Sequence, residues 1–185
     1  MGAAIIVIVI VVLIVLVFVA GYNGLVRLRN RIDSAWAQIG VQLERRHDLI
    51  PNLIETVKGY AAHEKTTLEG VVEARNQAIQ AKDAGPEQQA QAENVLTGAL
   101  KSLFALAEAY PDLKANQSFL QLQEELTSTE DRIAYARQFY NDSVMKYDNK
   151  IQSIPSNVIA GMFGFKSREY FRAEQGATEV PKVEF

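Results

Sequence analysis

Between Ala3 and Ala20 the chain reads AAIIVIVIVVLIVLVFVA, with no charged or polar side chain on any face. A helix that is apolar all round must be covered on all sides, by protein or by lipid. At 1.5 Å per residue this run spans about 27 Å as a helix, close to the ~30 Å of a bilayer's hydrocarbon core. A cleaved secretory signal would need a basic leader and small residues before the cut; Met1-Gly2 supplies no base, and Phe18 fits a −3 position poorly. We therefore expect residues 1–22 to form a retained anchor, its length marked by Ala3, Ile10 and Ala20, with Tyr22 as an interfacial aromatic. The bases nearest either end are Arg27, Arg29 and Arg31, all on the C-terminal side. Basic flanks stay cytoplasmic. The expected placement is thus a single pass through a cell membrane, with the following domain in the cytoplasm. The anchor holds no Gly-x-x-x-Gly face, so close helix-to-helix pairing within it is not expected.

Beyond the anchor, Ala, Leu, Gln, Glu and Lys fill long segments and alternating β-branched runs are absent. Apolar side chains at Ile32, Trp36, Ile39, Leu43, Ile50, Leu53, Val57, Ala61, Leu68, Val72 and Ile79 fall in one stripe at 100° per residue. The stripe keeps its phase through Pro51, which predicts one kinked helix of about 60 residues, missing a bond to the His47 carbonyl. Asp83-Ala84-Gly85-Pro86 ends it. A second helix starts at Pro86, carries Ala92, Val95, Leu96, Ala99, Leu103 and Ala107 on its stripe, and stops at Pro111. A third opens on Ser118-x-x-Gln121, read as a capping box. Its stripe includes Phe119, Leu126, Ile133, Tyr140, Val144 and Tyr147, and Pro155 closes it. A short apolar piece, Val158 to Phe165, follows. One-sided stripes must be buried against one another. The expected class is all-α: a single N-terminal transmembrane helix, then an elongated antiparallel, up-and-down bundle of three long helices and one short helix over residues 23–173. Residues 174–185 are expected to be a mobile tail.

The stretch LERRHDLIPNLIETVKGYAAHE, Leu43 to Glu64, holds both histidines and a Glu-x-x-His tetrad. Dinuclear sites in helical bundles need two such tetrads and two further inward carboxylates. Here there is one. Glu44 points away from the stripe while His47 lies at its edge, and His63 falls about 160° round the helix from His47. No metal or other cofactor is expected. The chain has no cysteine, which removes thiolate ligands and nucleophiles, and no Gly-x-Ser-x-Gly or phosphate-cradling loop. Adjacent acids such as Glu124-Glu125 diverge by about 100° on a helix. Acids and bases are scattered through a net charge of −3, so no nucleic-acid footprint appears. The charges on the stripe itself are Arg46, Glu64 and Arg75. Each must find a partner on another helix or reach the edge. A non-enzymatic protein is expected.

Several segments together resemble one family. Tyr22-Asn23-x-Leu25-Val26-x-x-Arg29, Val41-Gln42-Leu43-x-Arg45-Arg46-x-Asp48-Leu49-Ile50-Pro51-Asn52-Leu53, Tyr110-Pro111-x-Leu113-Lys114-Ala115-Asn116 and Ile154-Pro155-Ser156-Asn157 are similar, in this order, to the bacterial LemA family. The resemblance implies an N-terminally anchored helical-bundle protein with no established catalytic residues. It also implies a quality-control setting, because genes of the family often lie near those for membrane metalloproteases. Two functions are expected to compete. One is a scaffold whose partners are the lipid bilayer and further copies of itself. The other is an adaptor for a membrane protease.

Overall fold

The computed structural model describes residues 1–172, so the expected tail at 174–185 lies outside the described residues. All regular secondary structure among the described residues is helical, with no strand among them. Helix α1 runs Gly2–Lys58 and contains Pro51 in its interior without a break. Helix α2 covers Lys65–Gln80 and passes into a 3-10 turn at Ala81–Asp83. Gly85 then adopts φ +100°, open to glycine and strained for other residues, and Pro86 begins α3, Pro86–Ala107. A single turn, α4 (Pro111–Lys114), leads to α5, Gln117–Gln152, and α6 spans Ser156–Phe163.

The bundle therefore departs from three long helices and one short one. The first stripe does not continue to residue 82; it stops at Lys58, and the chain turns over residues 59–64. Gly59 costs a helix interior about 1 kcal/mol relative to alanine and adds nothing to the stripe. The Tyr60 and Ala61 amides both close on the Val57 carbonyl, which ends the helix. The restart resets the phase. Leu68, Val71, Ala74 and Ala78 are the buried side of α2, whereas Val72 and Ile79, placed on the stripe by a continuous helix, are each 40% exposed. The N-terminal cap of α5 also differs from the Ser118 box. Asn116 Oδ1 accepts from the Phe119 amide at 3.0 Å, an Asx cap that satisfies one of the helix's first free donors.

By their contacts the described residues divide into two compact units. One comprises Met1–Ala37 and Gln138–Arg168; the other comprises Gln38–Arg137 with the described residues from Glu169 onward. Within the first, Leu25, Ile32 and Ala35 of α1, Tyr140, Val144 and Tyr147 of α5, and Ile159 and Ala160 of α6 are buried. Within the second, α2 packs along α3. Ile50, Leu53 and Val57 of α1 join Leu68 and Val71 of α2, Leu96 and Leu103 of α3, and Phe119 and Leu126 of α5 in one apolar core. Each such side chain contributes roughly 1.5–3 kcal/mol when fully buried, before chain entropy is set against it.

Candidate functional site

Two features of the chain lie outside ordinary core packing: an uncovered apolar helix and a buried charge cluster. Among the described residues, α1 is the one helix long and apolar enough to cross a membrane, and no other described residue buries the apolar window inside it. Ala3, Ile10 and Ala20 are all exposed. Just after it, Tyr22 packs its ring on Phe163 and Phe165, with centroids 4.8 and 5.7 Å away. Arg29 stands over the Phe165 ring at 5.6 Å and Arg31 over Phe139 at 4.8 Å. Arg27 is exposed. The three arginines thus lie beyond the end of the apolar run, two of them on aromatic faces.

The packing residues read from the sequence are buried or half-buried. Ile39, Leu43, Ile50, Leu53, Val57, Leu126, Ile133 and Tyr140 are buried, and Trp36 is half-buried with its ring 5.4 Å from that of Tyr140.

All three stripe charges have partners on other elements. Arg46, 1% exposed, pairs with the carboxylate of Glu93, which is 2% exposed, and reaches the Glu93 carbonyl at 3.3 Å. Its second terminal nitrogen donates to Glu130 Oε2 at 2.5 Å and to Thr97 Oγ1 at 3.0 Å. Arg46 Nε has no hydrogen-bond acceptor among the described residues. Glu64 accepts from the Tyr110 hydroxyl at 2.8 Å. That bond is the main reason the Tyr110 phenol titrates above its ordinary range. Arg75 Nε donates to the His47 carbonyl at 2.8 Å. This is the carbonyl that Pro51, lacking an N–H, leaves without its own helical donor. A side chain from α2 therefore supplies what the proline removes.

His47 lies deeper than the stripe edge assigned to it. It is buried, with Nε2 3.0 Å from Glu93 Oε1. The sequence reading missed Glu93 because the stripe of α3 was drawn through Ala92 and Val95. Val95 is exposed, and the buried face is Gln89, Ala90, Glu93, Leu96 and Leu100. The spacing i, i+3, i+7 from Glu93 through Leu96 to Leu100 was the signal available. Nearby, Arg137 donates to the Arg172 carbonyl at 3.1 Å and lies 4.9 Å over the Phe171 ring. Burial pulls its guanidinium below the ordinary value, with the Glu130 charge acting the other way.

Glu44 is exposed, so the Glu44–His47 tetrad does not converge on a point. Among the described residues no group of three or more histidines and carboxylates is placed to hold a metal ion. The Arg46 cluster is suited to fixing helix register, since an unpaired charge in a mis-registered core would be heavily penalised. A surface groove of about 560 Å³ runs between α1 and α5 within the second unit, lined by Gln38, Val41, Gln42, Asp131, Arg132 and Tyr135. Val41 and Tyr135 are exposed there.

Residues 35–185 match the LemA family. The chain belongs to that family. As a LemA-family member it is similar to magnetosome protein MamQ 2 of Paramagnetospirillum magneticum, 27% identical over 186 residues that cover 88% of this chain and 68% of the relative. It is likewise 27% identical to Protein LemA of Metamycoplasma hominis over 161 residues, 86% of this chain and 72% of that one. MamQ of Magnetospirillum gryphiswaldense is 25% identical over 186 residues. None of these names denotes an enzymatic activity. The LemA match starts at residue 35, after the apolar run, and does not include it.

Proposed function

We propose that this LemA-family protein is a non-enzymatic, membrane-anchored helical scaffold that associates with further copies of itself and organises or remodels the bacterial membrane. The observation that carries the reading is the apolar N-terminal run of α1, which no other described part of the chain covers. Leaving those side chains in water would cost on the order of 25 cal/mol for each Å² of apolar surface, so lipid is the environment that suits them. Behind the anchor, an up-and-down arrangement in the second unit is supported by paired landmarks. Tyr60, past the end of α1, accepts from Asn116 before the start of α5. Arg46, nearer the middle of α1, meets Glu130 further along α5. Those two helices therefore run in opposite directions there, while Arg46–Glu93 and Glu64–Tyr110 set α3 alongside α1 in the same direction. Residues 23–173 form the helical domain on this reading, and Arg27, Arg29 and Arg31 keep it on the cytoplasmic side. The groove with exposed Val41 and Tyr135 is the face offered to a neighbouring copy. Confinement to a membrane raises local concentration, so weak lateral contacts suffice.

The test uses the absence of native cysteine. In membranes at native expression, Gln38→Cys and Val41→Cys should give cross-linked multimers of the full chain, and Glu69→Cys on the exposed side of α2 should not. A clean monomer at both groove positions would remove the scaffold and leave the adaptor for a membrane protease in front.

A further inference from the structure

The helix α6 is apolar on both of its sides. Its sequence, SNVIAGMF, carries no charge. One side buries Ser156, Ile159 and Ala160. The opposite side leaves Val158 and Met162 at 53% and 66% exposed, beside the exposed Asn157 and Gly161. Phe163, at the helix end, packs on Tyr22 and is 57% exposed, and Ile154, just before the helix, is 86% exposed. Soluble surface helices set polar residues opposite their buried stripe; a helix apolar all round is covered by protein or by lipid.

The position of α6 decides between the two. Ile159 seats in a notch at Gly21, where a Cβ would overlap its Cδ1 atom. Phe163 and Phe165 close on Tyr22. Gly21 and Tyr22 immediately follow the apolar run of α1, so α6 lies at the level where hydrocarbon gives way to headgroups. Its exposed face is thereby continuous with the uncovered face of the anchor. The charges nearby are mostly basic, with Asp33, Asp148 and Glu169 as the acids. No acid precedes Asp33, and none occurs between Asn149 and Arg168, whereas Arg27, Arg29, Lys150, Lys166 and Arg168 are basic. Arg168 is tied to Asp33 at 3.5 Å, and the others remain on a chain whose total charge is −3. Such a collar complements an anionic lipid surface.

We infer that α6 is a second membrane-contacting element, a short interfacial helix that lies in the headgroup layer beside the anchor with Val158 and Met162 toward the acyl chains. It rests on the anchor reading of α1 and adds to it. The anchor crosses the bilayer, and α6 lies along it, fixing the depth and rotation at which α1 leaves the membrane.

Full-length protein reconstituted into phosphatidylethanolamine–phosphatidylglycerol vesicles tests it, with a polarity-sensitive fluorophore on single cysteines. Val158→Cys and Met162→Cys report on α6, Ile10→Cys on the anchor, and Val95→Cys, exposed on α3, on the aqueous side. Circular dichroism confirms that each labelled chain stays helical. We expect blue-shifted emission and loss of intensity with brominated acyl chains at 158, 162 and 10, and iodide quenching at 95. Iodide quenching at 158 and 162 with lipid quenching at 10 overturns the inference and leaves the anchor standing. Protection of 158 and 162 from both quenchers means that protein covers them, and also overturns it. Iodide quenching at position 10 as well removes both readings.

Discussion

Arg46 engages two carboxylates and a threonine hydroxyl from a nearly waterless position, so its worth lies in what happens when one member is lost. Removing Arg46 leaves the buried Glu93 carboxylate only His47, and removing Glu93 leaves Arg46 only the side chains of the part-exposed Glu130 and Thr97. Losing one partner of a buried pair costs about 3–5 kcal/mol. We expect Arg46→Ala and Glu93→Ala each to lose stability of that order in thermal or denaturant melts of the detergent-solubilised chain. The apolar pair Arg46→Met with Glu93→Leu should lose less than either single change. If the pair loses the sum of the two, the cluster is ordinary packing and not a charge lock. His47→Ala takes a partner from Glu93 and should exceed the ~1 kcal/mol of a surface substitution. The tyrosines respond at the other end of the pH scale. Tyr110, bonded to the Glu64 carboxylate, and Tyr147, held mainly by burial, both have raised phenol values in the fold. The folded state therefore favours the protonated phenol. Stability from both is whole below about pH 10 and is lost as pH rises through the raised folded values. Melting temperatures from pH 8 upward should fall in that alkaline range, and Tyr110→Phe should start lower and fall less. An identical slope in Tyr110→Phe would contradict the assignment. The need for partners at Arg46, Glu64 and Arg75 was legible from charge falling on an apolar stripe. The partners themselves were not, because Glu93 was read as lying off the buried face and Tyr110 carries a hydroxyl that periodicity does not see.

At the scale of the helix, Pro51 was legible as a tolerated interruption, since the apolar phase is the same on both sides of it. What makes it tolerable required three dimensions: the donor to the His47 carbonyl comes from Arg75, on the next helix. A double-mutant cycle separates this from simple packing. Arg75→Ala should cost about 1–3 kcal/mol, the penalty for a carbonyl left without its donor. In a Pro51→Ala background, where the backbone N–H is restored, the same change should cost clearly less. Equal costs in both backgrounds would show that Arg75 acts elsewhere. The end of α1 at Lys58 was harder to foresee. Ala61 and Leu68 are buried whether the helix continues or restarts, so the stripe alone carries no mark of the break. Only Gly59 signalled it, and a single glycine inside a helical pattern is weak punctuation.

For the molecule as a whole, the anchor was the most legible feature, because a long apolar run has few alternative environments. The side of the membrane proposed for the helical domain rests on Arg27, Arg29 and Arg31. Protease added to intact spheroplasts should leave a C-terminal tag uncut, and cut it after lysis. Digestion before lysis would put the domain outside. Partners were not legible, since a docking face has the same composition as any other half-apolar helix surface. The second unit was legible as packed helices, and less so as a sequence of motions. Because α2 supplies the donor for a turn within α1, releasing α2 also unsettles the turn around His47 and Pro51, far from either end of its helix. Those two lengths, separate in the chain, open and close as one cooperative piece.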